Sequence, residues 1–359
     1  MKVATITFQN TTNYGASLQC YALHRALQML GADTEVIQYD SPYLNKPYKM
    51  AALREKGIIR FILGNIWTLM RTPRNGNFAE FNKNIKFTRT VTPATIGSLE
   101  SEYDLFLTGS DQVWNGNLSG HDPNYFLGFV KDNRKKGSYA ASFGFLNVPE
   151  GETEWYKKQL AGYKYYNVRE TSGQKLVKEL TGCDAKLTID PTLLLKQDEW
   201  KKVMKAPNIN EPYILVYQIT PSRKLSEVVN KLKKQTGHKV IAIPFIMDWP
   251  HKFKSMFTIG PAEFLGLFCN ASYVVTDSFH GTAFSLIFNC NFWTLSSRKE
   301  SRITSLLEIL GLGNRILYFD DAVNNDLTIE ASYNDTNIKF DEYRQKALDV
   351  IKSMINETK

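Results

Sequence analysis

Among the five histidines of the 359-residue chain, His280 has the setting that chemistry asks for. It lies in the run Val274-Val275-Thr276-Asp277-Ser278-Phe279-His280-Gly281-Thr282, where an apolar strand enters a helix expected over 281–288. A histidine at a helix start sits beside unsatisfied amide groups and the positive end of the dipole, so it can donate to a bound phosphate or carry a proton. Ser278, Gly281 and Thr282 are the small residues that would line such a place, and a packing role for the imidazole is the plain alternative.

Four more strand ends carry candidate groups. In Leu107-Thr108-Gly109-Ser110-Asp111-Gln112-Val113-Trp114-Asn115, Ser110 and Trp114 read as a ligand rim with an aromatic platform for a sugar ring. Asp111 reads there as a general base for an acceptor hydroxyl. The alternative is a solvated loop with Asp111 as a cap and Trp114 in the core. Asn13-Tyr14-Gly15 would leave helix N–H groups open to an anion or a sugar hydroxyl, or else Asn13 is an ordinary N-cap. Ala141-Ser142-Phe143-Gly144 allows close backbone approach at Ser142, as a plain turn also would. In Val168-Arg169-Glu170, Arg169 could grip a phosphate or carboxylate through two parallel bonds, or else form a commonplace exposed pair with Glu170.

The elements that must position these residues alternate between the two periods. Val3–Phe8 reads as a strand, 16–30 as a helix stopped by Gly31, and Thr34–Tyr39 as a strand, which makes a β-α-β unit. Further strands are expected at Tyr103–Thr108, Gly137–Ser142, Tyr165–Val168 and Ala185–Ile189, with helices over 152–161 and 172–180. A second series follows: strands Tyr213–Tyr217, Lys239–Ile243, Tyr273–Thr276 and Phe292–Leu295, with helices over 224–235, 261–269 and 281–288. The fold class is α/β, with two Rossmann-like doubly wound domains facing a cleft. The expected domains are 1–195, carrying a basic insertion at 41–100, and 196–338. A helix within 339–359 is expected to pack back on the first domain.

Composition narrows the classes. The chain has 43% hydrophobic and 22% charged residues, as a folded globular protein does. Its net charge of +8 is too small to indicate nucleic acid. Residues 46–74 hold seven basic residues and one acidic residue, Glu55, and the rest is almost neutral. With Ile58, Ile59, Ile62, Ile66, Leu69 and Met70 on one helical face, that stretch reads either as an interfacial membrane helix or as a buried helix with solvated charges. Cys20, Cys183, Cys269 and Cys290, widely spaced, read as reduced core residues. Neither a leader nor a spanning segment is recognisable, so a cytoplasmic protein is expected, peripheral to the inner face of the membrane if 46–74 binds it. No Asp-x-Asp, HExxH, GxxxxGK[ST] or strand-linked dinucleotide glycine motif occurs, so metal-dependent sugar transferases, zinc hydrolases and nucleotide-fingerprint enzymes lose support.

The set NYGASLQCYAL, TGSDQVWN, ASFG, VRE, IDPTLLL and TDSFHGTAFSLIFN, in order over residues 13–289, resembles the polysaccharide pyruvyl transferase family. The resemblance implies a GT-B-like fold of two Rossmann-like domains, and transfer of an enolpyruvyl unit from phosphoenolpyruvate to a sugar of a surface polysaccharide or its lipid-linked precursor, giving a pyruvate ketal and phosphate. It implies no metal and no cofactor besides phosphoenolpyruvate as donor substrate. By motif, the family's donor-binding histidine carries over to His280 and its first-domain arginine to Arg169. The arginine of the family's Arg-x-His element does not carry over, since Ser278 stands there; Arg298 or Arg302 would then replace it, or the donor differs. A GT-B-type glycosyltransferase using a nucleotide sugar and a non-catalytic carbohydrate-binding relative are the alternatives.

Overall fold

The computed structural model describes residues 1–44, 72–220, 222–244, 254–298, 301–321, 323 and 326–358. The helical face expected at Ile58 to Met70, and with it all of the basic stretch except 72–74, lies outside the described residues. The chain divides into two units. Unit 1 comprises Met1–Thr72, Asn82–Leu194 and Arg344–Lys359, and unit 2 comprises Pro73–Phe81 and Leu195–Tyr343.

In unit 1, β1 (Lys2–Ile6) lies between β2 (Asp33–Val36) and β3 (Leu105–Thr108), and β4 (Lys136–Ser138) flanks β3. All pairs are parallel, with Val3 opposite Thr34 and Leu105. Single bridges, Gly137 to Tyr165 and Ala141 to Val168, join this sheet to the parallel pair β5 (Asn167–Val168) and β6 (Lys186–Leu187). Every residue of β3 is buried, as a parallel strand covered on both faces requires. The helix Tyr14–Met29 follows β1 because its apolar residues recur at helical spacing; Gly31, at φ +82°, turns the chain toward β2. Ala4, Ile6, Phe106, Trp114, Phe126 and Phe143 are wholly or nearly wholly buried in this unit's core.

Unit 2 is a six-stranded parallel sheet in the order β12-β11-β10-β7-β8-β9: β7 (Tyr213–Gln218), β8 (Lys239–Pro244), β9 (Lys254–Ser255), β10 (Tyr273–Thr276), β11 (Phe292–Ser296) and β12 (Ile316–Tyr318). Ser222 caps the helix Arg223–Thr236 by accepting from Leu225 N at 3.3 Å, and Gly237 ends it in the left-handed region. The segment Pro73–Phe81 belongs to this unit. Arg74 is buried there, with its guanidinium over the rings of Phe78 and Phe257, and Asn77 Nδ2 donates to Thr258 O at 2.9 Å. Arg74 therefore does not contribute to an exposed basic face.

The C-terminal helix spans Asn334–Thr358, so it starts before the expected 339–359. In unit 1, Arg344 Nε donates to Leu193 O at 2.9 Å and Lys164 Nζ to Glu357 O at 2.9 Å. The sequence pattern missed β9, β12 and the helix Ser301–Ile309. The two strands are too short for alternation to show. All four cysteines are free of disulfides, but Cys183 is exposed and Cys269 only half-buried, so the expected core placement holds for Cys20 and Cys290 alone. Among the described residues, no helix is long and apolar enough to cross a membrane.

Candidate functional site

Open parallel sheets bind ligands beyond the carboxyl ends of their strands, where the strand order reverses. In unit 1 that point lies between β1 and β3. A Cβ on Gly109 would meet Thr7 Cβ at 3.2 Å and Ile6 O at 3.4 Å, so a glycine lets the two strand ends lie together. Thr7 Oγ1 donates to Ser110 O at 2.8 Å and accepts from Gln19 Nε2 at 2.9 Å, which closes the same contact with a polar link. Asn13 is the N-cap of the first helix, its side chain accepting from Ala16 N at 3.2 Å, and Tyr14 and Gly15 are buried behind it. Of the expected ligand-facing trio at this turn, only Asn13 is exposed.

Asp111 holds a left-handed backbone at φ +82°, a conformation that costs a non-glycine residue roughly 1–2 kcal/mol. Its O accepts from Ser142 N at 3.1 Å, and its Oδ1 accepts from Gln112 N at 2.8 Å. Asp111 thus stands half-buried at the end of β3, its backbone held by Ser142 and its carboxylate by the Gln112 amide.

Arg169 does not face outward as a phosphate clamp would. Its side chain is 4% exposed; Nη1 donates to Asp190 Oδ2 at 2.8 Å, and Nε lies 3.8 Å from Glu170 Oε2. Burial alone would lower its pKa, but Asp190, Glu170 and Asp111 outweigh that and hold it above the ordinary value. Asp190 also accepts from Ser110 Oγ at 3.1 Å, from Thr192 N at 3.0 Å and from Thr192 Oγ1 at 2.8 Å. Glu170 accepts from Ser142 Oγ, which in turn accepts from Gly144 N at 3.2 Å. Ser110 and Ser142 are therefore buried internal donors.

Trp114 is not a platform. It is 0% exposed, stacked on Phe126 with ring centroids 6.1 Å apart and packed against Phe143 and the edge of Tyr163. A large aromatic ring buries more apolar area than any other side chain, and here the core takes it.

In unit 2 the order reverses between β7 and β10. Asp277, just past β10, accepts from Ile219 N at 2.7 Å and Thr220 N at 3.0 Å, pinning the turn after β7. Burial raises its pKa, and those two amides hold the rise back. Thr276 Oγ1 donates to Tyr217 O at 2.7 Å and accepts from Ser278 N at 3.0 Å. The helix spans Phe279–Ile287, so it begins two residues before its expected start at 281 and His280 lies within its first turn. Gly281 packs against the strand: a Cβ there would stand 2.2 Å from Thr276 Oγ1. Thr282 Oγ1 donates to Ser278 O at 3.0 Å and bonds with Thr294 Oγ1. Gly281 and Thr282 thus hold the turn together from inside.

Ser278 is different. It is the N-cap and 1% exposed, yet its hydroxyl caps nothing and has no hydrogen-bond partner among the described residues. His280 is half-exposed, its ring edge-on to Phe279 with centroids 5.5 Å apart, and the Arg302 guanidinium lies 6.0 Å from the Phe279 ring. Arg298 is occupied elsewhere, paired with Asp320 at 3.3 Å and Asp321 at 2.6 Å over the ring of Tyr318. Arg302 is accordingly the arginine placed beside this turn.

Three acidic residues stood outside the expected site residues: Glu170, Asp190 and Asp277. A usable signal existed for Asp190. β5 and β6 are consecutive parallel strands with Val168 opposite Leu187, so charges just past their ends meet. No cluster of three or more metal-ligating side chains occurs among the described residues.

The family described as Polysaccharide pyruvyl transferase matches residues 13–298. No curated protein sequence matches the chain. Among solved structures, Staphylococcus aureus MnaA in its UDP co-structure is similar at TM-score 0.51 and 14% identity, over 99% of this chain and 97% of that one. A putative UDP-N-acetylglucosamine 2-epimerase from Listeria monocytogenes reaches TM-score 0.50 and 13% identity, over 97% and 90%. UDP-N-acetylglucosamine 2-epimerase from Rickettsia bellii gives TM-score 0.50 and 13% identity, over 99% and 97%. At such identities the likeness is one of fold, and the fold is of the GT-B type with parallel sheets.

Proposed function

The chain belongs to the polysaccharide pyruvyl transferase family, and on that premise we propose that it moves an enolpyruvyl unit from phosphoenolpyruvate to a sugar of a surface polysaccharide or its lipid-linked precursor. The products are a pyruvate ketal and phosphate. The observation that carries the reading is the first turn of Phe279–Ile287, where the buried Ser278 hydroxyl has no partner among the described residues and His280 stands half-exposed two positions on. A helix N-terminus favours an anion, and a buried hydroxyl without a partner favours any acceptor that reaches it.

On this reading the donor's phosphate takes the amides of that turn and the Ser278 hydroxyl, with Arg302 supplying positive charge. His280 gives a proton to the methylene carbon, so C2 gains oxocarbenium character. A sugar hydroxyl attacks C2 as Asp111, the proposed general base, takes its proton. A second hydroxyl then closes the ketal, giving its proton to the deprotonated His280, as the C2–O bond to phosphate breaks. The scheme calls for no metal and no redox step.

Calorimetric titration with phosphoenolpyruvate, uridine diphosphate and guanosine diphosphate, in wild type and His280→Ala, tests the donor. Saturable phosphoenolpyruvate binding that weakens in the variant is the expected result. Binding of a nucleoside diphosphate instead would move the chain to nucleotide-sugar chemistry. Contact of residues 46–74 with the membrane is a separate proposal, and failure to sediment with anionic liposomes at low salt ends it.

A further inference from the structure

The geometry points to Arg169 as a positioning residue, part of a buried frame with Asp190 and Glu170 that fixes Asp111, rather than as a contact to the donor. This rests on the reading of Asp111 as the base. Two carboxylates flank the guanidinium, Asp190 at 2.8 Å and Glu170 at 3.8 Å. Each also holds one serine: Asp190 accepts from Ser110 Oγ, and Glu170 accepts from Ser142 Oγ.

Those serines bracket Asp111. Ser110 precedes it in the chain, and the Ser142 amide donates to its carbonyl at 3.1 Å. Ser142 O further accepts from Trp114 N at 3.1 Å, so the same serine anchors the turn on its far side. Asp111 holds a positive φ, and these links are the contacts that fix its backbone there. With its side chain 4% exposed and two anions beside it, the guanidinium has its charge balanced inside the protein.

A direct donor contact and a frame make opposite demands on the kinetics. Loss of a donor contact weakens binding, whereas a displaced base lowers kcat and leaves binding alone. The test compares Arg169→Gln and Ser142→Ala with wild type, reading phosphoenolpyruvate affinity by calorimetry and kcat by phosphate release with acceptor. Both variants are expected to lose kcat on the order of 10²-fold, the scale of a misplaced catalytic group, with phosphoenolpyruvate affinity within about twofold of wild type. The double variant is expected to be no slower than Arg169→Gln, because both cut one linkage.

A loss of about tenfold or more in phosphoenolpyruvate affinity in Arg169→Gln, the scale of a charge-assisted bond, would overturn the inference, as would unchanged kcat in Ser142→Ala. Should Arg169→Gln not fold, Ser142→Ala alone decides, since it removes no charge. If the wild type neither binds phosphoenolpyruvate nor releases phosphate, the donor reading fails separately. Hydrogen exchange at the Trp114 amide then decides the frame: faster exchange in Ser142→Ala supports it, and unchanged exchange sinks it.

Discussion

The two strand-to-helix junctions are built from the same kinds of residue and satisfy them in opposite ways. At the unit 1 junction, most polar groups meet one another: Asp190 takes bonds from Arg169, Ser110 and Thr192, and Glu170 takes one from Ser142 through one oxygen, while its Oε2 lies 3.8 Å from Arg169 Nε without a hydrogen bond among the described residues. At the unit 2 junction, the Asp277 carboxylate and the Thr276 hydroxyl spend themselves on backbone, and the Ser278 hydroxyl is left over. A buried polar group without a partner costs about 1–3 kcal/mol, so the leftover hydroxyl marks where a ligand would repay the protein. The charge-paired network around Arg169 reads as a scaffold. Serine, aspartate and glycine at a strand end therefore do not by themselves announce a binding residue; Ser278 stands apart because its unsatisfied hydroxyl coincides with a helix N-terminus.

The largest effect should come from breaking the charge-paired network. Asp190→Ala leaves Arg169 buried without its nearest anion, and losing one partner of a buried pair costs roughly 3–5 kcal/mol. Urea unfolding is expected to show a loss of that size, and a loss below about 1 kcal/mol would mean that the network is not the scaffold described. Next comes the inner wall of the other junction. Gly281→Ala places a Cβ 2.2 Å from Thr276 Oγ1, whose bonds to Tyr217 O and Ser278 N would have to shift. Overpacking of this kind costs roughly 1–3 kcal/mol. A Gly281→Ala protein as stable as wild type would show that the turn has room to spare.

Where the sequence was legible, it was through period and junction chemistry. β10 spans Tyr273–Thr276 as its apolar run predicts, and helix Pro261–Asn270 lies within one residue of the expected 261–269. The motifs that carry the family resemblance lie inside the matched 13–298. What stayed hidden was the direction in which a side chain points. Trp114 after a polar run has one signature whether it lines a rim or fills a core, and only packing against Phe126 and Phe143 decides. Arg169 looked outward because its neutralising partner, Asp190, arrives only after an intervening helix. Likewise Arg298 and Arg302 differ little in sequence, but Asp320 and Asp321 claim the first.

Ser278→Ala separates stability from binding. Since the hydroxyl bonds to nothing among the described residues, its removal should change unfolding free energy by less than about 1 kcal/mol, with a small gain as the natural sign. Phosphoenolpyruvate affinity should fall about tenfold, because a hydrogen bond to a charged group is worth roughly 1.5–3 kcal/mol. An unchanged dissociation constant would remove Ser278 from the donor site and leave the unit 2 junction without its distinguishing feature.

The smallest effect lies in pH. Asp277 has its pKa raised above the ordinary 3.8 by burial, against the pull of the Ile219 and Thr220 amides. The folded state therefore holds this proton more tightly than the unfolded state does. Linkage then fixes the sign: across the window from 3.8 up to the raised value, stability from this group falls as pH rises, and above the window the loss is constant. Titrating the Asp277 carboxyl by carbon NMR should give a midpoint above 3.8. A midpoint at or below it would mean that the two amides outweigh burial, and the unit 2 junction would then stabilise its anion as the unit 1 junction stabilises Asp190. That result would confine the contrast between the junctions to the Ser278 hydroxyl.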